Sequence, residues 1–297
     1  MKFKLTVLIS VVTLLSACGA KQSADVFAPE FVNAVHEVAK TEFFNTLNSK
    51  IENNFFNIFD SLPSYSASLR TSQRTVLSYY KSNDVVASSM DKIVNQERAQ
   101  YDSNNVILEL TSKTDNEGNN KNENGESSST SSYRYQDLVY LDGTSLIDVD
   151  TSRYTYKKLR TATKDDVLEF MDDYRATIID DNLKALSSYC AVNESDNSKY
   201  YIDGDVLTYS FSKNSELDTG DYRGEITKTF KIQFTFSKEQ ITEKVMNILE
   251  EDLSSTDALT TTYNKKKGKV ENYIDMSVSL EDVKLSKVDL KNYQLVA

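Results

Sequence analysis

The clearest hydrophobic pattern lies near the N-terminus, where apolar residues recur every four positions after Pro29. Proline suits the first turn of a helix, and this spacing places the apolar residues on one helical face. The stripe consists of Phe31, Val35, Ala39, Phe43, Leu47, Ile51, Phe55 and Phe59. The pattern predicts a long amphipathic helix that ends near Pro63.

A second helical pattern lies in the middle of the chain. It begins at Thr163, which is spaced as a capping box with Asp166, and its apolar residues continue at helical spacing to Leu186. Cys190 extends the same apolar face, so we expect a buried thiol there. The pattern of residues 64–96 is ambiguous, and only the later part of that segment is assigned to a helix.

Most of the remaining chain alternates between apolar and polar residues, which is the period of a strand with one buried face. The clearest case is 226–236, where Phe230, Ile232, Phe234 and Phe236 share one face. Turn residues separate these segments, including the pairs Asp142-Gly143 and Asp203-Gly204. The alternation predicts a large, meandering antiparallel sheet.

The tract 113–132 is rich in Asn, Ser, Glu and Gly and has no clear period. Such composition predicts a flexible, solvated loop between two strands. Together the patterns predict an α+β fold, in which the N-terminal helix and the midchain helix pack on the concave face of a curved sheet. Residues 29–297 would form this single domain.

The first eighteen residues carry a targeting signal. Lys2 and Lys4 precede the apolar run 5–12, which is too short to cross a bilayer as a helix. The Leu-Ser-Ala sequence before Cys18 resembles the bacterial lipobox. The resemblance implies that residues 1–17 are removed as a lipoprotein signal peptide and that Cys18 carries diacylglycerol. Residues 18–28 would then tether the domain to the outer face of the bacterial cell membrane.

The order of these features resembles the LolA/LppX-like family of lipoprotein and lipid carriers. The shared features are the lipobox, the leading helix, hairpins with Tyr-apolar-Asp-Gly turns, the midchain helix and the closing meander of strands. The resemblance implies a half-barrel whose apolar concave face holds a hydrophobic ligand. The candidate lining residues are Phe230, Ile232, Phe234, Phe236, Phe43, Leu47 and Ile51.

Composition narrows the possible chemistry. The formal net charge of −11 disfavours nucleic acid as a partner, because phosphates require a basic surface. Eight glycines and two prolines argue against phosphate-binding loops, and His36 is the single histidine. The sequence has no Cys or His cluster with metal-ligand spacing. We therefore expect no enzymatic activity, no metal and no cofactor other than the covalent lipid on Cys18.

Three functional hypotheses follow. The leading one is non-catalytic binding of a lipid or another hydrophobic ligand by a membrane-anchored lipoprotein. The alternative is a surface interaction or adhesion module with a solid core, suggested by the acidic, Tyr-rich composition. An ABC-type solute-binding lipoprotein agrees less well with the few glycines and prolines and with the lack of alternating strand and helix units.

Overall fold

The computed structural model describes residues 29–51, 64–103, 105–161, 163, 165, 198–237, 240–257, 263–279 and 283–296. Its central feature is one sheet of twelve strands. In chain order the elements are α1 (Pro29–Ile51), β1 (Ser64–Lys81), β2 (Asp84–Asp102), β3 (Ile107–Asn122), β4 (Gly125–Asp142), β5 (Ser145–Asp150), β6 (Thr155–Thr161), β7 (Lys199–Asp203), β8 (Val206–Asp218), β9 (Tyr222–Phe236), β10 (Gln240–Ser255), β11 (Lys265–Ser279), a 3₁₀ turn (Leu290–Asn292) and β12 (Gln294–Leu295).

The strand order is β12-β6-β5-β4-β3-β2-β1-β11-β10-β9-β8-β7. Two meanders therefore meet in the middle, where β1 pairs with β2 on one side and with β11 on the other. Neighbouring strands are antiparallel except for the short parallel pair of β12 and β6. Twelve strands and one α-helix make the described part of the chain almost entirely β-sheet, so the predicted α+β half-barrel with two helices on its concave face is wrong.

Two segments account for most of this correction. Residues 64–96, assigned in part to a helix, belong to β1 and β2, and residues 113–132, predicted as a flexible loop, belong to β3 and β4. Apolar residues of 64–96 fall on both faces of their strands, as at Ile93 and Val94, whereas 113–132 is polar on both faces. Because period-two alternation arises only when one face of a strand is buried, these strands lack the pattern that would reveal them.

Other predictions agree with the structure. The helix α1 begins at Pro29, and β9 covers the alternating segment 226–236. Both Asp-Gly pairs form hairpin turns, in which Gly143 and Gly204 adopt φ of 63° and 57°. Residues 1–28, the proposed extension of α1 beyond Ile51 and the midchain helix over 166–197 lie outside the described residues.

The hydrophobic core is concentrated towards one end of the long strands. One face, here called the helix face, packs against α1 through the largest buried cluster. The opposite face, here called the polar face, is covered near β4 and β5 by a segment that contains Leu285, Val288 and Leu290. We call the half of the sheet with these clusters the covered end. The rest, residues 74–92, 117–130, 212–229 and 248–271, is the open end, and none of its described residues belongs to a buried cluster.

Candidate functional site

The predicted cavity residues do come together, on the helix face of the covered end. Phe43 and Leu47 of α1 pack against the four inward positions of β9 in one cluster. Each of these six side chains is at most 3% exposed. The β9 positions are Phe230, Ile232, Phe234 and Phe236. Cys18 and the side chain of Ile51 lie outside the described residues.

Aromatic rings fill the region between α1 and the sheet. The ring of Phe43 lies 5.5 Å from that of Tyr200, which lies 5.0 Å from Tyr209. Phe211 stacks on Phe230 at 5.6 Å. These centroid distances are typical of aromatic side chains in contact. The arrangement is that of a packed core built from α1, β7, β8 and β9.

A carboxyl group interrupts this core. Glu243 of β10 lies opposite Phe234 of β9 and Met276 of β11, and it is 2% exposed. Its Oε2 atom has no hydrogen-bond partner, and burial raises the pKa of the carboxyl to about 7. The sequence contains a signal for this residue, since Glu243 stands at an inward position between Ile241 and Val245.

A second buried carboxyl group lies farther along the sheet, where β4 pairs with β5. Burial, together with a hydrogen bond to Asp148, raises the pKa of Asp137 to about 7. Asp148 also forms an ion pair with Lys157 at 2.9 Å, which raises the pKa of that lysine. A hydrogen bond between two carboxyl groups requires one proton, and the raised pKa of Asp137 favours that proton. No local sequence pattern indicates the pair of Asp137 and Asp148, because the two residues meet only through strand pairing.

A large groove lies on the polar face, across β1, β2, β3 and β4. Its volume is about 720 Å³. Arg70, Arg98, Lys113 and Arg134 contribute four cationic side chains, one from each strand. Hydroxyl and amide groups lie between them, from Ser68, Gln96, Thr111, Gln136 and Ser152. We call this feature the cationic groove.

Strand register explains how residues distant in sequence meet in the cationic groove. Arg70 lies opposite Gln96, which lies opposite Lys113, which lies opposite Arg134. Directly opposed residues point to the same face, so this row crosses four strands, or roughly 15 Å at the usual strand spacing. The neighbouring row contributes Arg98. No local motif could predict this site, because it forms perpendicular to the chain.

Nearby polar side chains contact three of the groove cations. The Arg98 Nε donates to the Ser66 Oγ at 3.2 Å, and Arg70 lies 3.9 Å from the Asp275 carboxylate. Lys113 forms a short contact with Asp115. That lysine, together with the Ser132 hydroxyl at 2.7 Å, lowers the pKa of Asp115.

Two further grooves continue the cationic groove along the same strands. One, of about 480 Å³, is lined by polar residues that include Lys92, Asp115 and Thr130. The next, of about 530 Å³, lies in the open end beside Ser88 and Ser128. The polar face therefore carries a channel over β1 to β4, and its cationic part lies nearest the covered end.

Two features of the part of the chain that the structure describes concern metal ions and membrane-spanning helices. No group of three or more His, Cys, Asp or Glu side chains there is arranged to hold a metal ion. No described helix has the length and apolarity needed to cross a membrane.

No family model matches the chain, and no curated protein matches it significantly. Among solved structures, the outer membrane protein OprG from Pseudomonas aeruginosa is 8% identical, with 73% of this chain and 96% of that chain covered and a TM-score of 0.20. The outer membrane protease OmpT from Escherichia coli has the same identity and coverage and a TM-score of 0.18. The translocator domain of autotransporter NalP from Neisseria meningitidis is 5% identical over 84% of this chain, with a TM-score of 0.16. Likenesses this weak support no argument about the activity of the chain.

Proposed function

We propose that the protein is a membrane-anchored, extracytoplasmic interaction module that binds an anionic polysaccharide in the cationic groove. The observation that carries this proposal is the meeting of four cationic side chains in a groove of about 720 Å³. The chain as a whole has a net charge of −11. A local cluster of cations on an acidic protein attracts an anionic ligand while the remaining surface repels it.

The lining chemistry supports a sugar polymer with carboxylate groups. Guanidinium groups such as those of Arg70 and Arg98 bind carboxylates through paired hydrogen bonds. Hydroxyl and amide side chains between the cations can donate to and accept from sugar hydroxyls. The row of cations runs across the strands, so we expect the polymer to cross β1 to β4.

Anchoring remains a proposal that rests on the lipobox. We infer that diacylglycerol on Cys18 holds the protein at the outer face of the bacterial membrane. Cys18→Ser would then release the protein into the medium and abolish incorporation of labelled palmitate. Retention of the variant on membranes would contradict the anchor without affecting the groove.

We favour an interaction module over a lipid carrier because the aromatic residues of the predicted cavity form a packed cluster. Their rings lie within contact distance of one another, and their exposed fractions are near zero. Lipid extraction and native mass spectrometry of protein purified without detergent distinguish the two hypotheses, because they measure how much lipid copurifies. A stoichiometric lipid would revive the carrier hypothesis, whereas a lipid-free protein would support the packed core.

Calorimetric titration with polygalacturonate tests the groove, and neutral dextran serves as the uncharged probe. We expect binding of polygalacturonate alone, weakened by salt. The double variant Arg70→Gln/Arg98→Gln should weaken binding at least about tenfold. A matched charge control is the double variant Lys231→Gln/Lys244→Gln, because both lysines lie exposed on the polar face of the sheet but outside the groove. Equal losses in both variants, or binding of dextran, would overturn the proposal.

A further inference from the structure

Strand β4 has a free edge for much of its length. Its partner on one side, β3, pairs with it from Gly125 to Tyr140, whereas β5 pairs with it only from Asp137 onward. No described strand pairs with the outer side of residues 125–135. The sheet therefore exposes a row of backbone hydrogen-bonding groups there.

The hydrogen bonds of the adjacent residue, Gln136, show which backbone groups of 125–135 point away from β3. The Gln136 N–H donates to the Ser152 Oγ at 3.1 Å, and the Gln136 carbonyl accepts from the Thr151 N–H at 3.0 Å. Both backbone groups of Gln136 thus face the outer edge. Because strand residues alternate, residues 126, 128, 130, 132 and 134 also direct their N–H and carbonyl groups outward.

This edge lacks the features with which proteins protect free strands. Residues 127–133 carry no charge and no proline, and 125–134 are exposed throughout. The free edge of β8 provides a contrast, because β7 pairs with β8 only as far as Ser210. Beyond Ser210, β8 carries Lys213, Glu216 and Asp218, which discourage pairing with another strand.

We propose that two copies of the chain join along this edge, with 125–135 pairing antiparallel to the same segment about a twofold axis at Thr130. This register follows from the length of the free edge. It pairs all of 125–135, whereas a shift towards Gln136 would compete with the bonds to Thr151 and Ser152. The outward residues then form five hydrogen-bonded pairs, or about ten backbone hydrogen bonds.

Charge complementarity independently supports the same register. It places Glu126 of each copy opposite Arg134 of the other, and serine, threonine and tyrosine residues lie between these two pairs. Within one chain, Arg134 lies opposite Lys113, and a carboxylate from the second copy would add to the compensation that Asp115 provides. Glu126 forms an exposed ion pair with Lys121 at 2.9 Å, which leaves its carboxylate accessible. The proposal goes beyond the binding function and does not depend on it.

Sedimentation equilibrium of the full chain tests the pairing. We expect a concentration-dependent dimer for the natural sequence and a monomer for Thr130→Pro. The proline removes an outward N–H at the twofold axis and spares the hydrogen bonds to β3. A natural chain that stays monomeric, or a dimer that persists in a folded Thr130→Pro variant, would overturn the proposal.

Charge reversal tests the register without a backbone change. Glu126→Lys and Arg134→Glu should each prevent self-association, because like charges would then oppose one another twice. A mixture of the two variants should restore the dimer, because both pairs become complementary again. If the mixture stays monomeric, the proposed register is wrong.

Cysteine cross-linking adds a control at a single position. In this register Thr130 faces Thr130 of the other copy, and Thr130→Cys should form an intermolecular disulfide under mild oxidation. Ser128 faces Ser132, so its own two copies lie roughly 13 Å apart, and Ser128→Cys should not cross-link. Cys18 and Cys190 are present in both variants, which controls for the native thiols. Equal cross-linking of both variants would contradict the twofold axis at Thr130.

Discussion

The covered end and the open end are two parts of the same strands, but different interactions stabilise them. At the covered end, β9 buries Phe230, Phe234 and Phe236 beneath α1. Farther along, β3 and β4 carry hydroxyl, amide and charged side chains on both faces, and apolar residues of other strands, such as Leu253, join no buried cluster. Apolar burial provides the driving force at the covered end. The open end depends instead on the backbone ladder and on cross-strand pairs.

The paired charges of the open end are arranged along the polar face. Lys269 lies between Glu250 at 2.9 Å and Glu271 at 3.3 Å, and Glu271 also pairs with Arg74 at 3.3 Å. Such exposed pairs contribute little individually. Strands can therefore continue far beyond their hydrophobic core when neighbouring strands provide partners for their backbone N–H and carbonyl groups.

The largest expected effect lies in the covered end. Phe234→Ala removes a ring that is 1% exposed and contacts Phe236, so it should lower the free energy of unfolding by about 3–5 kcal/mol. Equilibrium unfolding in urea measures this change.

Two valines offer a matched control for the comparison between the two ends. Val278→Ala acts on a fully buried side chain of the covered end, whereas Val85→Ala acts on one of the open end that is 44% exposed. We expect a loss of about 2 kcal/mol for the first and less than about 0.5 kcal/mol for the second. Equal losses would show that both ends are stabilised in the same way.

Glu243 makes the stability of the covered end depend on pH. Its ordinary pKa of 4.5 in the unfolded chain rises to about 7 after folding, so the folded state binds the proton more tightly. Stability should therefore fall as pH rises from about 4.5 to 7, by about 3 kcal/mol for this group.

The variant Glu243→Gln isolates this dependence from that of Asp137, whose pKa is also raised. Unfolding curves at pH 5 and pH 8 should show that the variant gains stability relative to the natural protein only at the higher pH. An equal difference at both pH values would argue against a titrating Glu243.

At Gly224, in the open end, β9 and β10 lie too close together to accommodate a side chain. A Cβ atom there would clash with the Asp252 carbonyl oxygen and lie 2.9 Å from the Leu253 Cα. Gly224→Ala should therefore cost about 1–3 kcal/mol. At Gly118 the nearest atom is the Ser129 Oγ at 2.9 Å, a side chain that can rotate, so Gly118→Ala should cost less. The same urea titration ranks the two variants.

The smallest effect is expected for Lys269→Gln, which removes an exposed ion pair with Glu250 and a second pair with the less exposed Glu271. The unfolding midpoint should fall slightly at low salt, and the difference should vanish at high salt because exposed charges are screened. A difference that persists at high salt would show that Lys269 contributes through packing.

The sequence predicted the elements whose side chains divide into an apolar and a polar face. Alternation identified β9, and the Asp-Gly pairs located two hairpin turns. The same method failed for 64–96, where apolar side chains lie on both faces of β2, and for 113–132, where both faces are polar. Those segments form strands because neighbouring strands satisfy their backbone hydrogen bonds, which is a property of the whole sheet.

The sequence by itself determined the acidic charge, the start of α1 at Pro29 and the apolar faces that carry Phe43, Phe230, Phe234 and Phe236. Only the tertiary structure decided the strand order, the burial of Glu243, the cationic groove and the free edge of β4. Arg70 and Arg134 are far apart along the chain but occupy one row across four strands. Periodicity shows which face of an element is buried. A site built across strands depends on the pairing register, which the sequence of one strand alone does not specify.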